Sequence, residues 1–219
     1  MRPRVDLRLI SGSLQQLSAT PYFDARLHQY SESLRAAIDF ALKSNPPLPD
    51  ASLSILTRVV WRAHQYLAGS ISREAPYEVK LCLSKALADW IQKECLITTA
   101  LVDEPHGFHF LRADPWSILK SVVPSFPVGA FDPILVLIGV PRLYKHKPLF
   151  CIPLYHELGH FIDQHYGVSD FVVLNNSPPL NFPSQSWQSH WAEHFADLFA
   201  ACYVGMASVQ VLEALAPNH

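Results

Sequence analysis

The stretch Leu149-Phe150-Cys151-Ile152-Pro153-Leu154-Tyr155-His156-Glu157-Leu158-Gly159-His160-Phe161-Ile162 decides how the chain is read. Apolar residues surround the pattern H-E-x-x-H at 156–160, as expected for a helix buried beneath an active site. Positions i and i+4 share a helix face, so His156 and His160 can turn imidazole nitrogens toward one metal ion. Glu157 lies about 100° around the helix, near enough to reach a water at the metal without being a ligand. That division suits hydrolysis. Zinc lowers the pKa of its water to about 7, and a carboxylate takes the proton as the water attacks a polarised carbonyl. Pro153 is harmless in a first turn and kinks a helix deeper in, so the regular helix is expected to begin near Cys151 or Ile152.

A catalytic zinc site needs a third protein ligand and an open fourth position. The metzincin extension H-E-x-x-H-x-x-G-x-x-H fails, because Asp163 stands at the glycine and Tyr166 at the third histidine. Peptide deformylase takes a cysteine from far upstream, and Cys151 is only five residues before His156. What remains is a later helix, Ser189-His190-Trp191-Ala192-Glu193-His194-Phe195-Ala196-Asp197-Leu198-Phe199-Ala200. Glu193 and Asp197 share one face at i, i+4, and Ala196 and Ala200 are small where two helices must approach closely. The reading is Glu193 as third ligand, with Asp197 accepting a hydrogen bond from the far nitrogen of a ligand histidine. His190, three residues before Glu193, stays open as an alternative ligand or an oxyanion-stabilising donor.

H-E-L-G-H followed about thirty residues later by E-x-x-A-D-x-F-A resembles the gluzincin pattern, most closely the compact ImmA/IrrE-like intracellular metallopeptidases. The resemblance covers roughly residues 134–203: a strand, the motif helix and the ligand helix. It implies peptide-bond hydrolysis, often in a regulatory protein, with one zinc per chain on His156, His160 and Glu193. It further implies Glu157 as base and Asp197 behind a ligand. The chain departs from the family in the proline-bearing stretch between His160 and Glu193 and in lacking a clear DNA-binding helix-turn-helix.

Outward from this segment, the N-terminal part reads as helices. Leu27, Tyr30, Leu34, Ile38 and Leu42 make one stripe over 24–43, with Thr20 and Pro21 as an upstream cap and first-turn proline. Pro46, Pro47 and Pro49 form a stiff connector. Asp50 caps a second helix that Gly69 ends, and a third is expected over 75–93 with Val79, Leu83, Ala86, Leu87, Trp90 and Ile91 inward. Strand signals follow at 96–102, 107–111 and 134–138, the last a continuous apolar run typical of a strand buried on both faces. Pro105, Pro115, Pro124, Pro127 and Pro133 suggest loops around a small sheet. Helical patterning returns over 149–165 and 187–203, separated by a short apolar segment at 170–174 and a loop up to Ser186.

The expected fold is α+β: a helical section over 1–94 packed on a small mixed sheet, and a zincin-like core over 95–219, together one compact unit. Of 219 residues, 49% are hydrophobic and 16% charged, which excludes a disordered chain. With 17 Lys and Arg against 19 Asp and Glu and no basic run, an electrostatic nucleic-acid binder is excluded. The apolar excess leads us to expect that part of the surface faces a partner protein or a further domain. No apolar run is long enough for a membrane span, and no secretory signal is read at the N-terminus. Four dispersed cysteines are expected as buried, reduced thiols in a cytoplasmic protein. The function expected is a zinc metallopeptidase acting on a protein or peptide. Two readings compete with it: a non-catalytic zincin-like module with a structural metal, and a protease held latent by a loop over 167–186.

Overall fold

The computed structural model describes residues 3–20, 25–69, 77–103, 107–113, 115–126, 133–179 and 183–215. The fold is α+β, and the chain divides into two compact units. The first comprises Met1–Arg73, Ile91–Ala100 and Arg112–Leu137; the second comprises Glu74–Trp90, Leu101–Leu111 and Ile138–His219.

In the first unit, α1 (Pro3–Ser18), α2 (Ala25–Lys43) and α3 (Asp50–Gly69) pack on one another, and α5 (Pro115–Val122) packs on α3. Each buries a stripe at three- and four-residue spacing: Leu7, Ile10 and Leu14 in α1, for example, and Leu53, Leu56, Val60 and Leu67 in α3. The Thr20 hydroxyl donates back to the Gln16 carbonyl at 3.2 Å. Pro21 and Asp24 lie outside the described residues. α5 is a correction, because that stretch reads as loop. Pro115 occupies the first helical position, where a missing N–H costs nothing, and Trp116 and Leu119 are buried behind it. The Trp116 indole meets Tyr30 edge-to-face at 5.4 Å and donates to the Pro133 carbonyl. At the end of α3, a Cβ on Gly69 would stand 2.9 Å from the Thr99 carbonyl, so only glycine fits.

The strands β1 (Cys95–Val102), β2 (His109–Ala113) and β3 (Ile134–Pro141) form one sheet in the order β1-β3-β2. β3 is central and buried along its whole length, as its unbroken apolar run requires. The Ile134 N–H donates to the Glu94 carbonyl at 2.9 Å, and Thr98 Oγ1 donates to the Val136 carbonyl. β1 and β3 therefore advance together as parallel strands. His109, at the start of β2, lies against Gly139 near the end of β3.

The second unit contains α4 (Tyr77–Ala88), two short 3-10 turns (Arg142–Tyr144 and Pro148–Cys151), α6 (Pro153–Tyr166), α7 (Val168–Asn175), α8 (Ser184–Val204) and α9 (Ala207–Leu215). α4 ends at Ala88, earlier than the expected 93. Trp90, expected inward, is 41% exposed and donates its indole N–H to the Tyr203 hydroxyl. α6 begins at Pro153, close to the expected start, and packs mainly on α8. Gly159 makes that packing close: a Cβ there would lie 2.7 Å from the Ala196 Cα. Ala196 and Ala200 are buried at this crossing, as read from the sequence. Gly167 at φ 66 closes α6, donating to the Asp163 carbonyl at 2.7 Å, and α7 starts at once. Part of the segment expected as a covering loop is thus the helix α7. The thiols are free among the described residues, and only Cys151 is buried; Cys82 and Cys202 are exposed, against expectation. No described helix is long and apolar enough to cross a membrane.

Candidate metal centre

The site is built by two helices that cross at Gly159 and Ala196. Pro148 starts the 3-10 turn, and Pro153 opens α6 without loss of a backbone bond, which sets the pitch of the helix before the histidines arrive. From α6, His156 Nε2 and His160 Nε2 stand 3.0 Å apart. From α8, Glu193 brings one carboxylate oxygen to 3.2 Å from His156 Nε2 and the other to 3.4 Å from His160 Nε2.

The two Glu193 contacts use different carboxylate oxygens, so the carboxylate straddles the His156–His160 pair, and one ligand atom from each of the three residues lies within 4.8 Å of the others. His156, His160 and Glu193 therefore form a group that could hold a metal ion, and their chemistry, two imidazoles and a carboxylate, fits zinc. Asp197 Oδ1 lies 2.9 Å from His156 Nδ1. With that carboxylate accepting the Nδ1 proton, the neutral ring points the Nε2 lone pair at His160 and Glu193. Burial and the neighbouring His156 hold the His160 imidazole below its ordinary pKa, with the carboxylates around it opposing, which favours the neutral form of that ring. Glu157, beside the ligands and half-buried, is pushed the other way. Burial raises its carboxyl above the usual range, His156 opposes this, and Glu193 adds to it.

The remaining candidates are placed elsewhere. His190 is exposed and stacks on Trp187 at 5.8 Å, with the His194 ring 5.4 Å away. Trp187 and Trp191 meet edge-to-face at 5.5 Å, and the Trp187 indole donates to the Asn176 carbonyl. The Tyr166 hydroxyl donates to the Trp90 carbonyl, and the Tyr203 hydroxyl to Asp89 at 3.0 Å, so both are engaged in structural bonds. His109 bonds the Gly107 carbonyl, and His106 lies outside the described residues. Asp163 is buried and caps α7: its two oxygens accept from the Ser169 N–H and hydroxyl, each at 2.6 Å.

Sequence reading missed a cavity of about 230 Å³ beside His160, lined by Asp163 and Gln164 of α6, Asp170 of α7, and Gln188 and Ser189 of α8. A signal was present, since 160, 163 and 164 share a helix face. The opposite wall comes from α7, which the sequence does not announce. Comparison with protein-family models, with curated proteins and with solved structures returns no match for this chain.

Proposed function

We propose that this chain is a zinc-dependent metallopeptidase of gluzincin type that hydrolyses peptide bonds in a protein substrate. The observation that carries the proposal is the convergence of His156 Nε2, His160 Nε2 and the Glu193 carboxylate within ligand reach of one another, with a further glutamate alongside. A purely structural site needs ligands and no base; here Glu157 stands next to His156 and lies outside the group that could hold the ion.

His156, His160 and Glu193 would hold the ion. When bound, zinc supplies Lewis acidity, lowering the pKa of water to about 7 and polarising a carbonyl. Glu157 takes a proton from the attacking water at a carboxylate oxygen and passes it to the leaving amine. Asp197 holds the His156 tautomer and ring plane. Free thiols and the resemblance to intracellular peptidases support a cytoplasmic setting.

Metal analysis of the purified protein beside His156→Ala and Glu193→Ala tests the ligand set. About one zinc per chain, lost or much weakened in both variants, is the expected result. Zinc retained in Glu193→Ala would move the third ligand to another residue. A wild type that takes up no metal after zinc is added back would overturn the proposal in favour of an interaction module.

A further inference from the structure

Resting on the peptidase reading, the inference concerns what the cavity beside His160 accepts. We infer that it receives a cationic side chain, Lys or Arg, of the substrate residue next to the cleaved bond, with Asp170 as the charge that selects it. Three observations converge. The cavity borders His160, one of the three residues that would hold the ion, so it lies within reach of a side chain of a peptide held there. Its wall is polar: carboxylates from Asp163 and Asp170, carboxamides from Gln164 and Gln188, and the Ser189 hydroxyl, with no Lys or Arg lining it among the described residues.

The third observation is the charge of the surrounding sequence. All 17 Lys and Arg lie at or before Lys147, while residues 148–219 carry Glu157, Asp163, Asp170, Glu193, Asp197 and Glu213 and no Lys or Arg. The segment that builds the site is thus strongly acidic within a chain whose formal net charge is only −2. Such a wall attracts a cation and repels a carboxylate.

The two aspartates act differently. Asp163 has both oxygens committed to Ser169 and contributes field, not contact. Asp170 is exposed, and its Oδ1 accepts from the Gln188 amide at 2.5 Å across the α7–α8 gap. Its Oδ2 takes no hydrogen bond among the described residues and can receive an ammonium or guanidinium proton. Gln164 and Ser189 can accept the remaining donors of such a head group.

The test uses the full chain loaded with zinc and internally quenched peptides of one sequence, varied to Lys, Leu or Glu at each position flanking the bond cleaved. At one flanking position the Lys peptide should exceed the Glu peptide by about tenfold in kcat/KM, mostly through KM. Asp170→Asn should reduce the Lys-over-Leu ratio by about threefold, and Asp170→Lys should invert the Lys-over-Glu order. Circular dichroism and zinc content would establish that both variants are folded and loaded. Equal cleavage of Lys and Glu peptides at every position, or a preference unchanged in folded Asp170→Lys, would overturn the inference. If no peptide is cleaved, fluorescence polarisation of the labelled Lys and Glu peptides decides the matter. Tighter Lys-peptide binding that Asp170→Lys abolishes upholds the cationic cavity while the peptidase reading fails; equal binding removes both.

Discussion

At the scale of single residues, the roles of Glu157 and Asp197 separate cleanly. Glu157 makes no hydrogen bond to His156, His160 or Glu193, so replacing it by glutamine should leave that group and the packing intact. Glu157→Gln should retain wild-type zinc content and melting temperature while losing about 10²–10⁴-fold in turnover. Zinc analysis and single-turnover cleavage on the same preparation check this, and near wild-type cleavage would exclude Glu157 as base. Asp197 acts through His156, so Asp197→Ala should weaken zinc affinity by about 10–100-fold. Competition with a chromophoric chelator reads that loss directly. These residues were legible in the sequence because helical periodicity is local: i, i+4 in 156–160 and again in 193–197 fixes a face without knowledge of the fold. That the two faces meet was readable from Ala196 and Ala200. Asp163 was not legible in the same way, because its partner is Ser169 on the next helix, and nothing in the spacing says that α6 stops at Gly167 and turns back.

At the scale of elements, the crossing of α6 and α8 sets the precision of the site. Gly159 faces the backbone of Ala196, three residues beyond Glu193 and one before Asp197. A methyl group at 159 would meet the Ala196 Cα, which cannot swing away, so the helices must part. Gly159→Ala should cost about 1–3 kcal/mol of stability and weaken zinc binding, because both acidic residues ride on the displaced helix. Urea denaturation of the metal-free protein reads the first effect, and chelator competition the second. An unchanged variant would mean that the helices are less tightly apposed than the geometry shows. The elements read from the sequence with the longest apolar stripes or runs are α2, α3, α6, α8 and β3, and α4, β1 and β2 were read with somewhat different ends. α1 and α9 were not delimited, and two further elements are short or ambiguous in pattern. α5 begins on a proline within a proline-rich stretch, and α7 is apolar nearly all round, with Phe171 68% and Leu174 84% exposed, so neither period stands out. α7 owes its start to the Asp163 cap, a contact that local sequence does not encode.

At the scale of the whole molecule, the apolar composition is accounted for partly by the buried cluster of the first unit and partly by apolar side chains left on the surface. Within that cluster's surroundings lies a group that ties stability to pH. His64 of α3 stacks on Trp61 at 5.2 Å, and its Nε2 is 2.7 Å from Ser13 Oγ on α1. Its Nδ1 is buried without a hydrogen-bond partner among the described residues, and burial lowers its pKa from the ordinary 6.5. In the folded chain the ring therefore resists the proton that the unfolded chain accepts. Between its folded pKa and 6.5 the unfolded state binds more protons, so stability rises with pH across that window. The contribution is fully present above 6.5 and is lost as pH falls through the folded value. His64→Gln, which keeps a polar group facing Ser13 and removes the titration, should flatten this dependence. Urea midpoints measured in EDTA at pH 7.5 and pH 5.5 should fall more steeply for the wild type than for His64→Gln. The ligand histidines are common to both proteins, so their titration cancels in the comparison, and the difference in slope belongs to His64. Identical slopes would show that the ring takes up its proton in the folded state as readily as in the unfolded one.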